Sequence, residues 1–322
     1  MSVDPLSENI SVVIRVRPLN TLEGNSCITI SQHTISLDLK TETKQFSFDY
    51  VAAESVSQEM IFNLVGKPLT DACLEGYNAT VFAYGQTGAG KTFTIQGLSP
   101  DQALDKRIYF ELRGLMPRIV DYIFDKINIF KQRRDISYIV KASYLEIFRE
   151  QIIDLLDSQT ENLRIREGLK QGVYIEGLNE EIVDTSGALK EVISRGTASR
   201  HTGATAMNQE SSRSHSVLTL RIESKTVTDG IINIKTSRFH IIDLAGSERQ
   251  KSTDAAGERL KEAGNINRSL SVLGNVINAL AETSQGKSRY VHYRDSKLTF
   301  LLKDSLGGNS KTVLIGEYLN NQ

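Results

Sequence analysis

The chain has 322 residues, 39% hydrophobic and 24% charged, with a formal net charge of -1; this ordinary globular composition can bury one large core or two small ones and excludes disorder over most of the length. Near-neutral charge excludes a uniformly basic surface, so an acidic partner must be met by a local patch. Cys27 and Cys73 are the only cysteines and have no second ligand at metal spacing, which excludes a disulfide framework or zinc site, while MSVDPLSENI is no signal peptide and no apolar run approaches about 18 residues, which disfavours secretion or membrane spanning and fits a reducing compartment.

β-Branched segments predict strands over 11–16, 45–51, 80–83, 136–147, 217–227 and 231–243. Between the second and third, Ser55 and Gln58 form a candidate capping box. Met60, Ile61, Leu64, Val65, Leu69 and Cys73 follow at helical intervals, and Gly76 stands where a C-terminal cap would. Residues 186–196 repeat this grammar, and 311–318 read as a last strand. Strands interleaved with helices predict an α/β layer fold, and the absence of a linker or repeat predicts a single domain. The turn at Thr228-Asp229-Gly230 joins an antiparallel pair, so the sheet is expected to be mixed.

Residues 85–92 read GQTGAGKT, matching GxxxxGK[ST] directly after the apolar strand 80–83. Gly85, Gln86, Thr87, Gly88, Ala89 and Gly90 would wrap phosphate oxygens with backbone N–H groups, and the following helix presents its positive end. Lys91 would reach the β and γ phosphates, and Thr92 would hold Mg²⁺. A second element, FHIID at 239–243 followed by LAG, places Asp243 at a strand end. There it suits water-mediated Mg²⁺ binding, with the Gly246 N–H free to meet a γ-phosphate. DxxG alone is weak; paired with the phosphate loop it predicts a switch. His240, within the apolar strand, reads as a hydrogen-bonded core or edge histidine.

NQESSRSH at 208–215, DLAGSE at 243–248 and YRDSKLTFLLKDSLGGNSKT at 293–312 together resemble the kinesin superfamily. RVRP at 15–18, FAYGQTGAGKT at 82–92 and EAGNINRSLSVLGNVINAL at 262–280 are similar to kinesin motifs in the same order. The likeness covers roughly residues 10 to 318. It implies an α/β fold of phosphate-loop NTPase type, with a central mixed, mostly parallel sheet flanked by helices on both faces, and a microtubule-stimulated ATPase using ATP and Mg²⁺. Arg15 and Pro18 would flank the adenine, with Phe93 on its other side where many kinesins carry His. Ser211 and Ser212 would hold Mg²⁺ and the γ-phosphate, and Arg213 and Glu248 would form an ion pair linking two switches and ordering water. The alternative for that pair is a surface bridge worth less than about 1 kcal/mol. His215 belongs to the switch motif.

Ala263, Ile266, Leu270, Leu273, Ile277 and Leu280 define an apolar helix stripe, read as docking on the sheet. The opposite face carries Asn267, Arg268, Asn275 and Asn278, and in kinesins the corresponding helix meets tubulin. Over 285–303 five cations, Lys287, Arg289, Arg294, Lys297 and Lys303, outnumber the single anion Asp295, which suits an acidic protein surface. Arg268, Arg289, Arg294 and Lys297 are the expected microtubule contacts; Phe300 stands where many kinesins have Arg, which removes one. Two rivals are a GTP-dependent switch and a non-catalytic microtubule binder. Against the first, no NKxD-type motif is found; against the second, Lys91, Ser212, Gly246 and Glu248 are all present.

The expected organisation is an extension over 1–9 and a motor domain over 10–322, incomplete because a family member's last helix and neck linker would follow the strand 311–318. Such a chain is expected not to move filaments. The resemblance is strongest to mitotic N-terminal motors and their plant relatives of the dividing-cell array, carried by 247–270 and an insert at 98–113. It implies a cytoplasmic, cytoskeletal protein, microtubules as the partner rather than nucleic acid or membrane, and a dimer or higher oligomer through a stalk outside this chain.

Overall fold

The computed structural model describes residues 9–19, 27–38, 42–132, 136–157, 159, 162–169, 171–207, 211–248, 258–308 and 310–319, without the side chains of 38, 201–211 and 258–267. Of the extension 1–9 only Asn9 is included; 208–210 of the NQESSRSH motif, 249–257 of the 247–270 stretch, and the side chains of Ser211, Ala263, Ile266 and Asn267 lie outside the described residues. In chain order the strands are β1 (Ile10–Arg17), β2 (Ile28–Ile30), β3 (Thr34–Asp38), β4 (Thr43–Ser47), β5 (Tyr50–Ala52), β6 (Asn78–Tyr84), β7 (Ile136–Phe148), β8 (Gln151–Asp154), β9 (Arg164–Gly168), β10 (Gly172–Glu176), β11 (Glu181–Val183), β12 (His215–Thr228), β13 (Ile231–Asp243) and β14 (Ser310–Leu319). The helices are α1 (Gln58–Ile61), α2 (Lys67–Leu74), α3 (Lys91–Ile95), α4 (Lys106–Leu112), α5 (Leu115–Lys131), α6 (Ser186–Met207), α7 (Glu258–Ser284), α8 (Lys297–Leu301) and α9 (Lys303–Gly307).

The apolar runs at 81–82, 241–242 and 313–315 have no polar alternate because both faces of their strands are covered. Val81, Ile241, Val313 and Ile315 enter one core with α2, α5 and α6, whereas Phe82 and Ile242 enter a second with α7 and α8, joined at its edge by Leu314. Nine strands form the central sheet in the order β11-β7-β12-β13-β6-β14-β1-β5, with β8 on β7. β5, β1, β14, β6 and β13 pair in parallel, while β12 is antiparallel to both β13 and β7. Crossover connections therefore bring loops from the C-terminal ends of parallel strands to one edge, the usual place for a ligand in such a sheet. The β12–β13 hairpin turns at Asp229 (φ 51°) and Gly230 (φ 76°), both left-handed, as a two-residue turn between right-twisted strands requires.

Three expectations on element boundaries change. Ser57, not Ser55, caps α1, accepting from the Met60 N–H at 3.2 Å. The ladder then widens into a π-turn at Phe62–Gly66 ahead of Pro68, which has no N–H to give. The segment 45–51 is two strands in two sheets, since β4 pairs with β3 and β5 with β1. Between them the Asp49 carboxylate accepts the Val12 N–H at 2.7 Å and turns the chain. The helix begun at Ser186 runs to Met207; Gly196 is no cap but the place where the Tyr144 ring occupies the room of a Cβ. Gly76 does cap α2, with Gly76 N–H on Cys73 O and Tyr77 N–H on Ala72 O.

Candidate functional site: a phosphate loop joined to the Ser212 turn and the segment after Asp243

β6 ends at Tyr84, and the loop Gly85–Gly90 returns the chain into α3, so Lys91 and Thr92 stand at the first turn of a helix whose free N–H groups favour an anion. Lys91 is buried, and its ammonium donates to Gly85 O and Gln86 O, both at 2.9 Å. Burial lowers its pKa; the carboxylates of Asp243, Glu248 and Glu317 oppose the shift. β13, next to β6, delivers Asp243 at its C-terminal end, where Oδ2 accepts the Thr92 hydroxyl at 2.8 Å. Burial raises the Asp243 pKa against the pull of Arg200, Thr92 and Lys91.

The segment after β13 folds back over the loop. Gly246 N–H donates to Ser212 O at 2.8 Å, and Ser247 N–H to Gly85 O at 3.0 Å. The Glu248 carboxylate accepts the Thr87 N–H at 2.8 Å and its hydroxyl at 2.5 Å. Burial acts to raise the Glu248 pKa, but these hydrogen bonds, with Lys91, outweigh it and the net shift is downward. A Cβ at Gly246 would overlap both Glu248 and Thr87, so the close approach depends on glycine. Ser212 and Arg213 lie in the 3₁₀ turn Ser211–Arg213 that leads into β12, half-buried beside this contact.

On the other side of the loop, Arg15, Pro18, Ala89, Gly90 and Phe93 line one cleft of about 230 Å³. The Arg15 guanidinium donates to Gln58 Oε1 and Thr94 Oγ1, each at 2.8 Å, and lies 5.6 Å from the centre of the half-exposed Phe93 ring. Arg15, Pro18 and Phe93, expected at a base-binding site, thus share a wall.

Sequence reasoning missed the layer beneath. Arg200 on α6 is buried; it donates to Glu146 Oε1 at 3.3 Å and Ser214 O at 3.1 Å and lies 3.8 Å from Asp243 Oδ2. Ser214 donates to the same Glu146 oxygen. His215 accepts the Ala245 N–H on Nδ1 at 3.0 Å, which leaves Nε2–H to donate to Ser269 of α7 at 2.8 Å. Burial, reinforced by Arg200 and Lys91, lowers its pKa to about 3, so it is neutral. Arg200 lies beyond the helix expected over 186–196, and Gln58 is read from the sequence only as a capping residue, so neither role has a direct signal in the sequence. His240 meets its expectation, bonded to the Thr219 hydroxyl at 2.9 Å inside the sheet.

α7 docks through buried Leu270, Leu273, Val276 and Ala279, with Ile277 and Leu280 at the margin. Arg268, Asn275 and Asn278 are exposed on its far side. Arg268 donates to Asp295 O at 3.3 Å and Arg289 pairs with Glu282 at 2.5 Å. Arg294 bridges to Glu167 of the β9–β10 hairpin at 2.9 Å, and Lys303 pairs with the same carboxylate. Phe300 supports Arg294, whose guanidinium lies 5.2 Å from its ring centre. The Lys297 N–H is held by Glu150 at 2.8 Å.

The chemistry of the loop site fits a magnesium nucleotide. Asp243 Oδ1 is buried with no partner among the described residues, beside a hydroxyl and an ammonium that phosphate oxygens would engage. Among the described residues no cluster of three or more His, Cys, Asp or Glu could hold a metal unaided, as suits an ion carried largely by phosphates and water. Fold and site together define an α/β domain of the phosphate-loop nucleoside triphosphatase type. The kinesin motor domain model matches residues 15–319, and the chain belongs to that family. It is 48% identical over 316 residues to kinesin-like protein KIF15-B of Xenopus laevis, covering 95% of this chain and 22% of that protein. It is also 48% identical over 312 residues to kinesin-like protein KIN-12B of Arabidopsis thaliana, covering 95% and 24%. A solved structure of a fast kinesin superposes with a TM-score of 0.86 at 45% identity, over 97% of this chain and 85% of that one. The chain spans about a fifth to a quarter of the length of these two curated relatives.

Proposed function

We propose that this chain is a microtubule-stimulated ATPase module which, within a full-length protein, couples hydrolysis to movement along microtubules. The carrying observation is the joining of phosphate loop, Asp243 strand end and Ser212–Gly246–Glu248 contact at one edge of the sheet. Thr92, Ser212 and, through water, Asp243 would hold Mg²⁺, which when bound neutralises charge on the β and γ phosphates. Lys91 and the loop N–H groups from Gly85 to Gly90 bind and orient the phosphates, while Arg15, Pro18 and Phe93 hold the base. Ser211, Ser212 and Lys91 set the γ-phosphate in place, joined by Gly246 once its N–H, which donates to Ser212 O here rather than standing free as expected, is released. Arg213 and Glu248 order the attacking water once Glu248 exchanges Thr87 for the switch arginine; positioning and charge neutralisation, rather than a strong base, lower such a barrier.

On this reading Arg268, Arg289, Arg294 and Lys297 face the track, the protein works on cytoplasmic microtubules, the spindle among them, and heads pair through a stalk beyond these residues. The test is steady-state phosphate release with and without microtubules. Stimulation in the parent is expected, with near-complete loss in Glu248→Ala while nucleotide still binds. Turnover unchanged by the substitution would remove Glu248 from the mechanism, and no microtubule response would overturn the reading.

A further inference from the structure

Glu317 is not used by the chemistry above, yet it lies in the wall of the nucleotide cleft. It sits near the end of β14, only 6% exposed, between β1 and β6. Its backbone carbonyl lies against the first glycine of the phosphate loop, 2.5 Å from where a Cβ on Gly85 would stand. Oε2 reaches under the last glycine of the loop, 3.3 Å from the corresponding position on Gly90. The carboxyl is hydrogen-bonded to the Thr94 hydroxyl, which also accepts from Arg15 at 2.8 Å. Oε1 is buried without a partner among the described residues. A carboxyl group with one orphaned oxygen beneath a loop built for anions is costly, and structural packing alone does not require it.

We propose that Glu317 sets the nucleotide affinity of this site, acting as a positioning residue through Lys91 and Thr94 from beneath the phosphate loop. The inference rests on the loop being a nucleotide site. The charged groups facing the carboxyl are Arg15 from β1, Lys91 from α3 and Asp243 from β13, with Arg17, Glu54 and Glu111 around the cleft. Burial raises the Glu317 pKa to about 7; Thr94, Arg15 and Lys91 draw it down, and Asp243 pushes it up. The group therefore changes charge near neutrality. When ionised it shares the field of Lys91 with arriving phosphates and repels them across a poorly solvated gap. When protonated it leaves Lys91 to the phosphates. Nucleotide binding and protonation of Glu317 thus reinforce each other, and raising the pH loosens the nucleotide.

The test is the affinity of fluorescent ADP with Mg²⁺ at pH 6 and pH 8 for the 322-residue chain and for Glu317→Gln, which keeps shape and hydrogen bonding without the charge. The variant is expected to bind about fivefold tighter than the parent at pH 8 and within about twofold at pH 6, as linkage requires. Equal or weaker binding by the variant at pH 8 overturns the proposal. Should the variant fail to fold, calorimetry of ADP binding to the parent at pH 7.5 in two buffers of different ionisation heat decides. Net proton uptake on binding supports the proposal and its absence refutes it. Failure of the parent to bind ADP at all would instead overturn the nucleotide-site reading.

Discussion

Replacing Arg200 with methionine isolates the buried network under the Ser212 turn and the segment after Asp243. The change keeps most of the side chain's volume and removes a cation that lies 3.3 Å from Glu146 and 3.8 Å from Asp243. The Arg200 and Asp243 side chains are 6% and 3% exposed, so solvent cannot replace the lost charge. Breaking a buried pair by removing one partner costs about 3–5 kcal/mol. With an unfolding entropy of about 2.1 cal/mol/K per residue, or about 0.7 kcal/mol/K for this length, the melting temperature should fall by about 4–7 °C. The sign with pH follows from Asp243. Burial already raises its folded pKa, and loss of Arg200 raises it further. A raised carboxyl contributes stability that is full below the unfolded carboxylate value of about 3.9 and is lost as pH rises through the folded one, so the damage should be larger at pH 8 than near pH 4. Thermal melts of parent, Arg200→Met, Glu146→Gln and the double variant would measure this, with the cycle giving the pair term. A fall of less than about 1.5 °C at pH 8 would refute the reasoning, because it corresponds to about 1 kcal/mol, the range of an exposed pair.

Arg294→Ala combined with Lys297→Ala should weaken microtubule co-sedimentation, and the parent's binding should fall with salt because exposed charges are screened within about 8 Å near physiological ionic strength; salt-independent binding would contradict this placement of the interface. His215, held neutral with a pKa of about 3 against about 6.5 unfolded, makes the native state bind fewer protons between those values. Stability should therefore be lost as pH falls through that window, and His215→Gln should show a flatter decline in its urea midpoint between pH 6.5 and 4. Gly196→Ala would drive a methyl group into the Tyr144 ring, and a cost of about 1–3 kcal/mol, seen as a lower melting temperature, should outweigh any helix-propensity gain.

What the sequence made legible was local. GQTGAGKT is a phosphate-loop pattern complete in eight consecutive residues, and the runs at 80–83 and 239–243 announce strands because apolar residues in them fall on both faces. The Asp229-Gly230 turn is written in two residues. The less legible features depend on partners distant in the chain. Nothing around Asp49 says that its carboxylate will hold the N–H of Val12 and split one expected strand in two. Gly196 read as a stop because the ring that fills its place belongs to Tyr144, 52 positions earlier. Resemblance points Arg15 at the base, while its partners Gln58 and Thr94 are 43 and 79 residues away. Phe300, read as a lost contact, supports Arg294 across the turn that begins α8.

The segment after Asp243 and the sheet beneath it are held by bonds of very unequal number. β12 and β13 share a ladder of thirteen residue pairs, whereas the chain after Asp243 meets the phosphate loop and the Ser212 turn through Gly246 on Ser212, Ser247 on Gly85 and Glu248 on Thr87. Each such bond contributes about 0.5–1.5 kcal/mol net. Releasing one changes the ratio of latched to unlatched molecules by about two- to twelvefold and leaves the ladder whole. Amide protons at 246–248 should therefore exchange with solvent through small openings, and those at 239–243 only when the domain unfolds. A ligand that gains or loses a single phosphate contact works on the first scale of energy, so it can reset this edge repeatedly without disturbing the second.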